Sequence, residues 1–170
     1  TNNVALGSYA LDAAVTANDN TAVGHKALTT NTASSNTALG SEALQYNTSG
    51  NSNVGIGVQA LRANTTAINN TAVGSSALLA NTTASQNTAV GGRSQEATTT
   101  GSDNTSVGWG SLVLNTTGVN NVSLGRSSLA ANTTASNNTA VGYIALLSNT
   151  TGTQNTAVGS LAGDAITTGS

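Results

Sequence analysis

Six acids could supply acid–base chemistry: Asp12, Asp19, Glu42, Glu96, Asp103 and Asp164. Glycoside hydrolysis needs two carboxylates about 5–10 Å apart, flanking the bond to be broken. Glu96 and Asp103 fall in one repeat but on different stretches of it, so the acids read as solvated surface charge. His25 is the single histidine, and no second His, Cys or acid column accompanies it, which argues against a metal site. Ser and Thr abound without a base to activate them. Gly91-Gly92 has neither the strand–loop–helix setting nor the following Lys of a phosphate loop. The residues therefore predict no catalytic centre, no metal and no cofactor. One spacing is different: Gly92, Trp109, Arg126 and Tyr143 recur at intervals of 17 residues. If successive intervals stack, Arg126 lies between two aromatic rings in a cation–π arrangement. The single Trp and one of the three Tyr would then form a stripe able to contact a carbohydrate or a receptor.

That stripe exists only if the chain is wound so that residues 17 apart become neighbours. The whole sequence has this period. Ten copies open at Asn3, Asn20, Asn36, Asn53, Asn70, Asn87, Asn104, Asn121, Asn138 and Asn155, with every gap 17 residues except 16 from Asn20 to Asn36. The consensus is N-T-A-V-G-S-x-A-L-x-x-N-T-T-(A/G)-x-N, with slots numbered 1 to 17 from the opening Asn. A unit this short and regular is one coil of a stacked array rather than a globular domain, so residues 1–170 read as one repeat array. Slot 4 is always aliphatic, slot 5 is Gly in all ten copies, and slot 9 is Leu in eight, including Leu78 and Leu146. Slots 6, 7 and 10 vary and hold most charges and aromatics. Uniform slots are expected to face inward, which puts slots 4 and 9 in the core, and variable slots to face solvent.

Helix fits poorly, because each unit carries Gly, Thr and Asn and shows no 3.6-residue apolar stripe. Two short strands per coil are expected, at slots 2–4 and 7–9, with the slot-5 Gly (Gly74 and Gly142 among them) at the corner. The N-T-T-(A/G) stretch forms a second, wider turn. The fold class predicted is all-β: a parallel β-solenoid whose coils pair about 4.8 Å apart, making a rod about 5 nm long. Asn at slot 1, such as Asn70, Asn87, Asn121 and Asn138, would stack as an amide ladder, with a second at slot 12 and a Thr column at slot 13. The ladder explains the Asn-x-Ser/Thr sequons, such as Asn64-Thr-Thr66, without glycans. One Leu, one Val-sized residue and a few Ala per coil make a thin core, so association with partner chains, as a homotrimer, is expected. Copy six departs most: Gln95 replaces the slot-9 Leu, Thr98 replaces the slot-12 Asn, and Arg93 and Glu96 lie close together.

Bulk properties narrow the partners. Only 6% of residues are charged, the net charge is -2, and Lys26, Arg62, Arg93 and Arg126 are dispersed, so nucleic acid is not an expected partner. No apolar run approaches the roughly 18–20 residues of a membrane span, so membrane insertion is not expected. The chain lacks an initiator Met and starts at a repeat junction, which suggests an excerpt of a longer fibre protein.

The stretches Asn70-Thr-Ala-Val-Gly74-Ser-Ser-Ala77 and Asn138-Thr-Ala-Val-Gly142-Tyr-Ile-Ala145 resemble the N-S-V-A-I-G-x-x-A-x-A repeat of trimeric autotransporter adhesin heads, the YadA-like family. That resemblance implies a left-handed parallel β-roll wound by three chains. Here the unit is longer, by the N-T-T turn. The longer form N-T-A-x-G-x-x-A-L-x-x-N-T-T-G also resembles repeats of bacteriophage tail fibres. Both imply an extracellular element on a cell surface or virion, contacting a host-surface glycan or receptor, without catalysis. The function expected is a structural and adhesive fibre segment. The alternative is an ice-binding β-solenoid, weakened because Thr at slots 13 and 14 are adjacent and point to opposite sides. A polysaccharide lyase or hydrolase would need an acid cluster that is missing.

Overall fold

A computed structural model describes residues 2–13 and 16–169. Ten strands of three residues each run β1 Val4–Leu6, β2 Thr21–Val23, β3 Thr37–Leu39, β4 Val54–Ile56, β5 Thr71–Val73, β6 Thr88–Val90, β7 Thr105–Val107, β8 Val122–Leu124, β9 Thr139–Val141 and β10 Thr156–Val158. They form one parallel sheet in chain order. Pairing is slot on slot, as in Thr71↔Thr88, Ala72↔Ala89 and Val73↔Val90. The protein is an all-β parallel β-solenoid, and no helix occurs among the described residues.

Successive strand residues point to opposite faces. In the eight inner coils slot 3 is inward and buried, occupied by Ala22, Ala38, Ala72, Ala89 and Ala140 among others. Slots 2 and 4 therefore point outward. The expectation that slot 4 lines the core is corrected: Leu39 is 46% and Val107 41% exposed, and in the end coils Leu6 and Val158 are barer still. The reason is room. Opposite slot 3 stands the slot-9 Leu. Where slot 3 is Gly55, a Cβ would already lie 3.3 Å from Leu44 Cδ1. The interior admits only small side chains at slot 3, Ala or the Ser of Ser106 and Ser123, while β-branched residues suit the outer surface of a pleated sheet.

The second expected strand, at slots 7–9, is also corrected. Slots 6–11 form consecutive turns. Slots 7 and 9 are left-handed, as at Ser76 (φ 57) and Leu78 (φ 51). The Ala77 N–H donates to Gly74 C=O at 3.3 Å, and Asn81 N–H to Leu78 C=O at 3.2 Å, closing successive β-turns. Left-handed backbone costs an L-residue about 1–2 kcal/mol. Neighbouring coils hold it in place: Ser76 N–H donates to Val58 C=O at 2.9 Å and Leu78 N–H to Ser94 C=O at 3.0 Å. This arc turns the slot-9 side chains into the core, where Leu28, Leu44, Leu61, Leu78, Leu112, Leu129 and Leu146 are wholly buried. At the corner, Gly74 has φ 136, and a Cβ there would sit 2.6 Å from the Gly91 carbonyl carbon. Gly142 is held alike, so the slot-5 column is glycine because adjacent coils touch backbone to backbone.

The asparagine ladders bind coil to coil. Asn70 Oδ1 accepts the backbone N–H of Asn87 at 2.9 Å, and Asn70 Nδ2 donates to Ala84 C=O at 2.9 Å. Asn121 and Asn138 repeat the pattern. At slot 12, Asn64 Nδ2 donates to Asn47 Oδ1 at 2.7 Å and to Ala67 C=O at 3.2 Å. Thr65 Oγ1 donates to Thr82 C=O at 3.0 Å, forming the slot-13 column. Buried amides are costly unless bonded, and these ladders satisfy all but the Oδ1 atoms of Asn81 and Asn149, where slot 12 has no Asn in the next coil. Because Asn64 is wholly buried and spends its amide protons inside, its sequon presents no amide to a glycan. The one deletion falls in the N-T-T turn: Asn31 Nδ2 reaches Ala33 C=O two residues on, where Asn47 reaches Gly50 three residues on. The turn is exposed at slot 14, so it absorbs the loss while β2 and β3 stay in register.

Candidate functional site

Slot 6 follows the glycine corner and projects outward, so the solenoid delivers Trp109, Arg126 and Tyr143 to one edge in successive coils. The Arg126 guanidinium lies 5.5 Å from the Trp109 ring centroid and 5.9 Å from that of Tyr143. Gly92 sits beneath Trp109, and a Cβ at Gly92 would lie 3.3 Å from Trp109 Cδ1. A side chain at slot 6 of coil six would crowd the ring. The edge has one further member that the 17-residue spacing of slot 6 does not include. Arg93, from slot 7 of coil six, lies 5.8 Å from the Trp109 centroid. Its Nε donates to Glu96 at 2.8 Å. Only the neighbouring slot number hinted at it, because the turn arc swings slot 7 beside slot 6. The ladder thus reads Arg93, Trp109, Arg126, Tyr143 across coils six to nine.

Charge is distributed unevenly around these cations. Arg62 pairs with Glu42 at 3.0 Å, bonds Gln45 and Tyr46, and lies 5.2 Å over the Tyr46 ring. Gln59 donates to the Glu42 carboxylate, and this bond above all holds its pKa below the usual carboxylate value; burial opposes it, and the Arg62 charge adds a lesser lowering. Arg126 makes no ion pair among the described residues. No carboxylate side chain occurs between Asp103 and Asp164.

The other candidate groups do not converge. His25 sits edge-on to Tyr9 with centroids 6.3 Å apart. Among the described residues no three His, Cys, Asp or Glu side chains gather as a metal-ligand set. Glu96 is engaged by Arg93, and Asp103 is exposed in a left-handed turn position at slot 17.

A second surface feature follows from the outward slots. Thr21, Thr37, Thr71, Thr88, Thr105, Thr139 and Thr156 stand at slot 2 in short runs broken by Val54 and Val122, beside the aliphatic rank at slot 4, and neither slot carries a charge in any coil.

Beneath the ladder the interior turns polar. Gln95 Nε2 donates to Thr88 C=O at 3.0 Å and to Ser106 Oγ at 2.9 Å, and Ser111 Oγ donates to Ser123 Oγ at 2.7 Å. Thr98 interrupts the slot-12 ladder, and the buried oxygens Asn81 Oδ1, Gln95 Oε1 and Thr98 Oγ1 have no hydrogen-bond partner. Strand register nevertheless runs unbroken through β5, β6 and β7.

Comparison of the chain with known protein families, with curated proteins and with solved structures finds no match.

Proposed function

We propose that this chain is a shaft segment of an extracellular fibre, structural and adhesive, of the kind carried by cell-surface adhesins or phage tails. The observation that supports it most is the uninterrupted, chain-ordered pairing of all ten strands. Each coil touches only its neighbours, so stability and length accumulate in one dimension. Such an element supplies reach and stiffness, and its variable slots present contacts, with Trp109, Arg126 and Tyr143 as the receptor-facing stripe. No catalytic step belongs to this reading. The outward, charge-free ranks at slots 2 and 4 favour partner chains of the same sequence, because another copy offers an uncharged stripe with the same rung spacing. A homotrimer is the assembly proposed. Light scattering and electron microscopy test it together: a trimeric rod about 5 nm long is expected for this segment, and a monomeric or compact particle overturns the assembly.

One observation favours ice binding as a second reading. The Thr runs at slot 2 lie on the outer face of the sheet, a better array than the turn threonines at slots 13 and 14. A trimer covers this face and an ice binder exposes it. Thermal hysteresis from a monomer would select ice binding, and its absence from a trimer would discard it.

A further inference from the structure

The ladder carries one cation without a counter-charge. Both other arginines placed beside aromatic rings, Arg62 and Arg93, also pair with a glutamate. Arg126 stacks instead on two rings, Trp109 and Tyr143, and no acid occurs in its own coil or the next coil on either side. A guanidinium set beside two rings, with no side-chain hydrogen bond or ion pair of its own among the described residues, keeps its N–H donors for an acceptor, and its planar fork matches an oxyanion with two parallel bonds. Stacking also orders the long side chain in advance, which lowers the entropy lost when a ligand binds. The rings are therefore walls rather than platforms. Trp109 already has Arg93 and Arg126 over it, so a saccharide that reaches the half-exposed ring meets two cations there.

We propose that Arg126 anchors a site for an anionic polysaccharide lying along the solenoid axis, with a carboxylate or sulfate group on the guanidinium edge. Arg93 is the second cation of the column, two coils and about 10 Å away. Glu96 occupies its Nε at 2.8 Å, so it is masked as long as that carboxylate is present. This rests on the reading of the chain as an exposed fibre shaft, and it narrows the ligand of that shaft from saccharides in general to acidic ones.

Trp109 is the single tryptophan, so its emission reports on the site directly. The full chain is titrated with oligogalacturonate, heparin oligosaccharide and neutral dextran, with affinities checked by calorimetry. Either or both acidic sugars shift Trp109 emission and bind, the responding one identifying the acid group, while dextran does neither. Loss of a charge-assisted pair in Arg126→Gln weakens binding about tenfold, and Arg126→Lys, which keeps charge but loses the planar fork, weakens it too. Glu96→Gln unmasks Arg93 and tightens binding severalfold. Arg62→Gln, on distant coils, leaves it unchanged. Equal binding of dextran, or wild-type affinity in a folded Arg126→Gln chain, overturns the proposal. Rod shape and assembly are measured on the same sample, so a trimeric rod that ignores acidic sugars sinks the anion site alone. A compact particle sinks the shaft reading independently.

Discussion

Coils two to five and coils six to eight share one backbone and differ inside. In the first group Leu28, Leu44, Leu61 and Leu78 stack with buried alanines at slots 3 and 8, and the slot-12 asparagines form an unbroken ladder. In the second, Ser94, Gln95, Ser106, Ser111, Ser123 and Ser128 occupy the same inner slots, and the apolar core resumes as a separate cluster around Leu112, Leu129 and Leu146. Register is identical in both. The difference separates two jobs. Inter-coil hydrogen bonds, from the strands, the turn arc and the slot-1 asparagines, fix where each coil sits. The apolar filling decides how strongly it is held. Coil six changes the filling without disturbing the placement, and the ladder that spans coils six to nine stands over this softened interior.

Emptying the apolar stack has the largest expected effect. Leu61→Ala should destabilise the chain by about 3 kcal/mol, the usual cost of a buried leucine truncation with its residual cavity. Chemical denaturation measures it. A cost as small as that of a surface substitution would mean that the leucines contribute little beyond the hydrogen bonds, and that the two regions are equivalent.

The opposite change should merge the two clusters. Gln95→Leu replaces an amide whose Oε1 is buried and unpartnered with the residue used at slot 9 in the coils on either side. The left-handed backbone is no obstacle, since Leu78 and Leu112 adopt it at φ 51 and 55. Removing one buried unsatisfied group should stabilise by about 1–2 kcal/mol. Hydrogen exchange should slow specifically in coils five to seven. A loss of stability would show that the Gln95–Ser106 bond outweighs the orphaned oxygen.

Thr98→Asn makes a finer repair. It restores the slot-12 ladder by offering Asn81 Oδ1 a donor, for a gain of about 1 kcal/mol. The gain should add to that of Gln95→Leu only partly, because the two sites share one coil. Denaturation of the double variant checks this.

How much of this was legible in the sequence depends on what uniformity means. Asn at slot 1, Gly at slot 5 and Leu at slot 9 repeat because their surroundings repeat: ladder, corner and core are as expected, although slot 9 reaches the core from the turn arc and not from a strand. Slot 4 repeats for the same reason and was misplaced: a repeating environment need not be an interior one. Here it is the outer face of a sheet, where β-branched residues pack along neighbouring rungs. The left-handed arc was not legible because Ser76 and Leu78 carry no signature of it, and Gly110 and Gly163, at equivalent slots in single coils, were too sparse to announce it. The Trp109–Arg126–Tyr143 contacts were legible because they depend only on the period. Arg93 depends on the arc and was missed.

The smallest effect compares the two regions by charge. Glu42 is held below its usual pKa by the Gln59 amide and by Arg62, so its contribution to stability is present above the unfolded-state value and is lost as pH falls through the folded value. Both partners are partly solvated, which limits an ion pair of this kind to about 0.5 kcal/mol. Coils seven to nine contain no acid and lose nothing equivalent. Lowering the pH from neutral into the acidic range should therefore speed amide exchange about twofold at coils three and four, after correction for intrinsic rates, and leave coils seven to nine unchanged. Glu42→Gln should abolish the difference. Acid sensitivity that persists in that variant, or appears equally in coils seven to nine, would place it in the ladders and turns common to every coil and detach it from this ion pair.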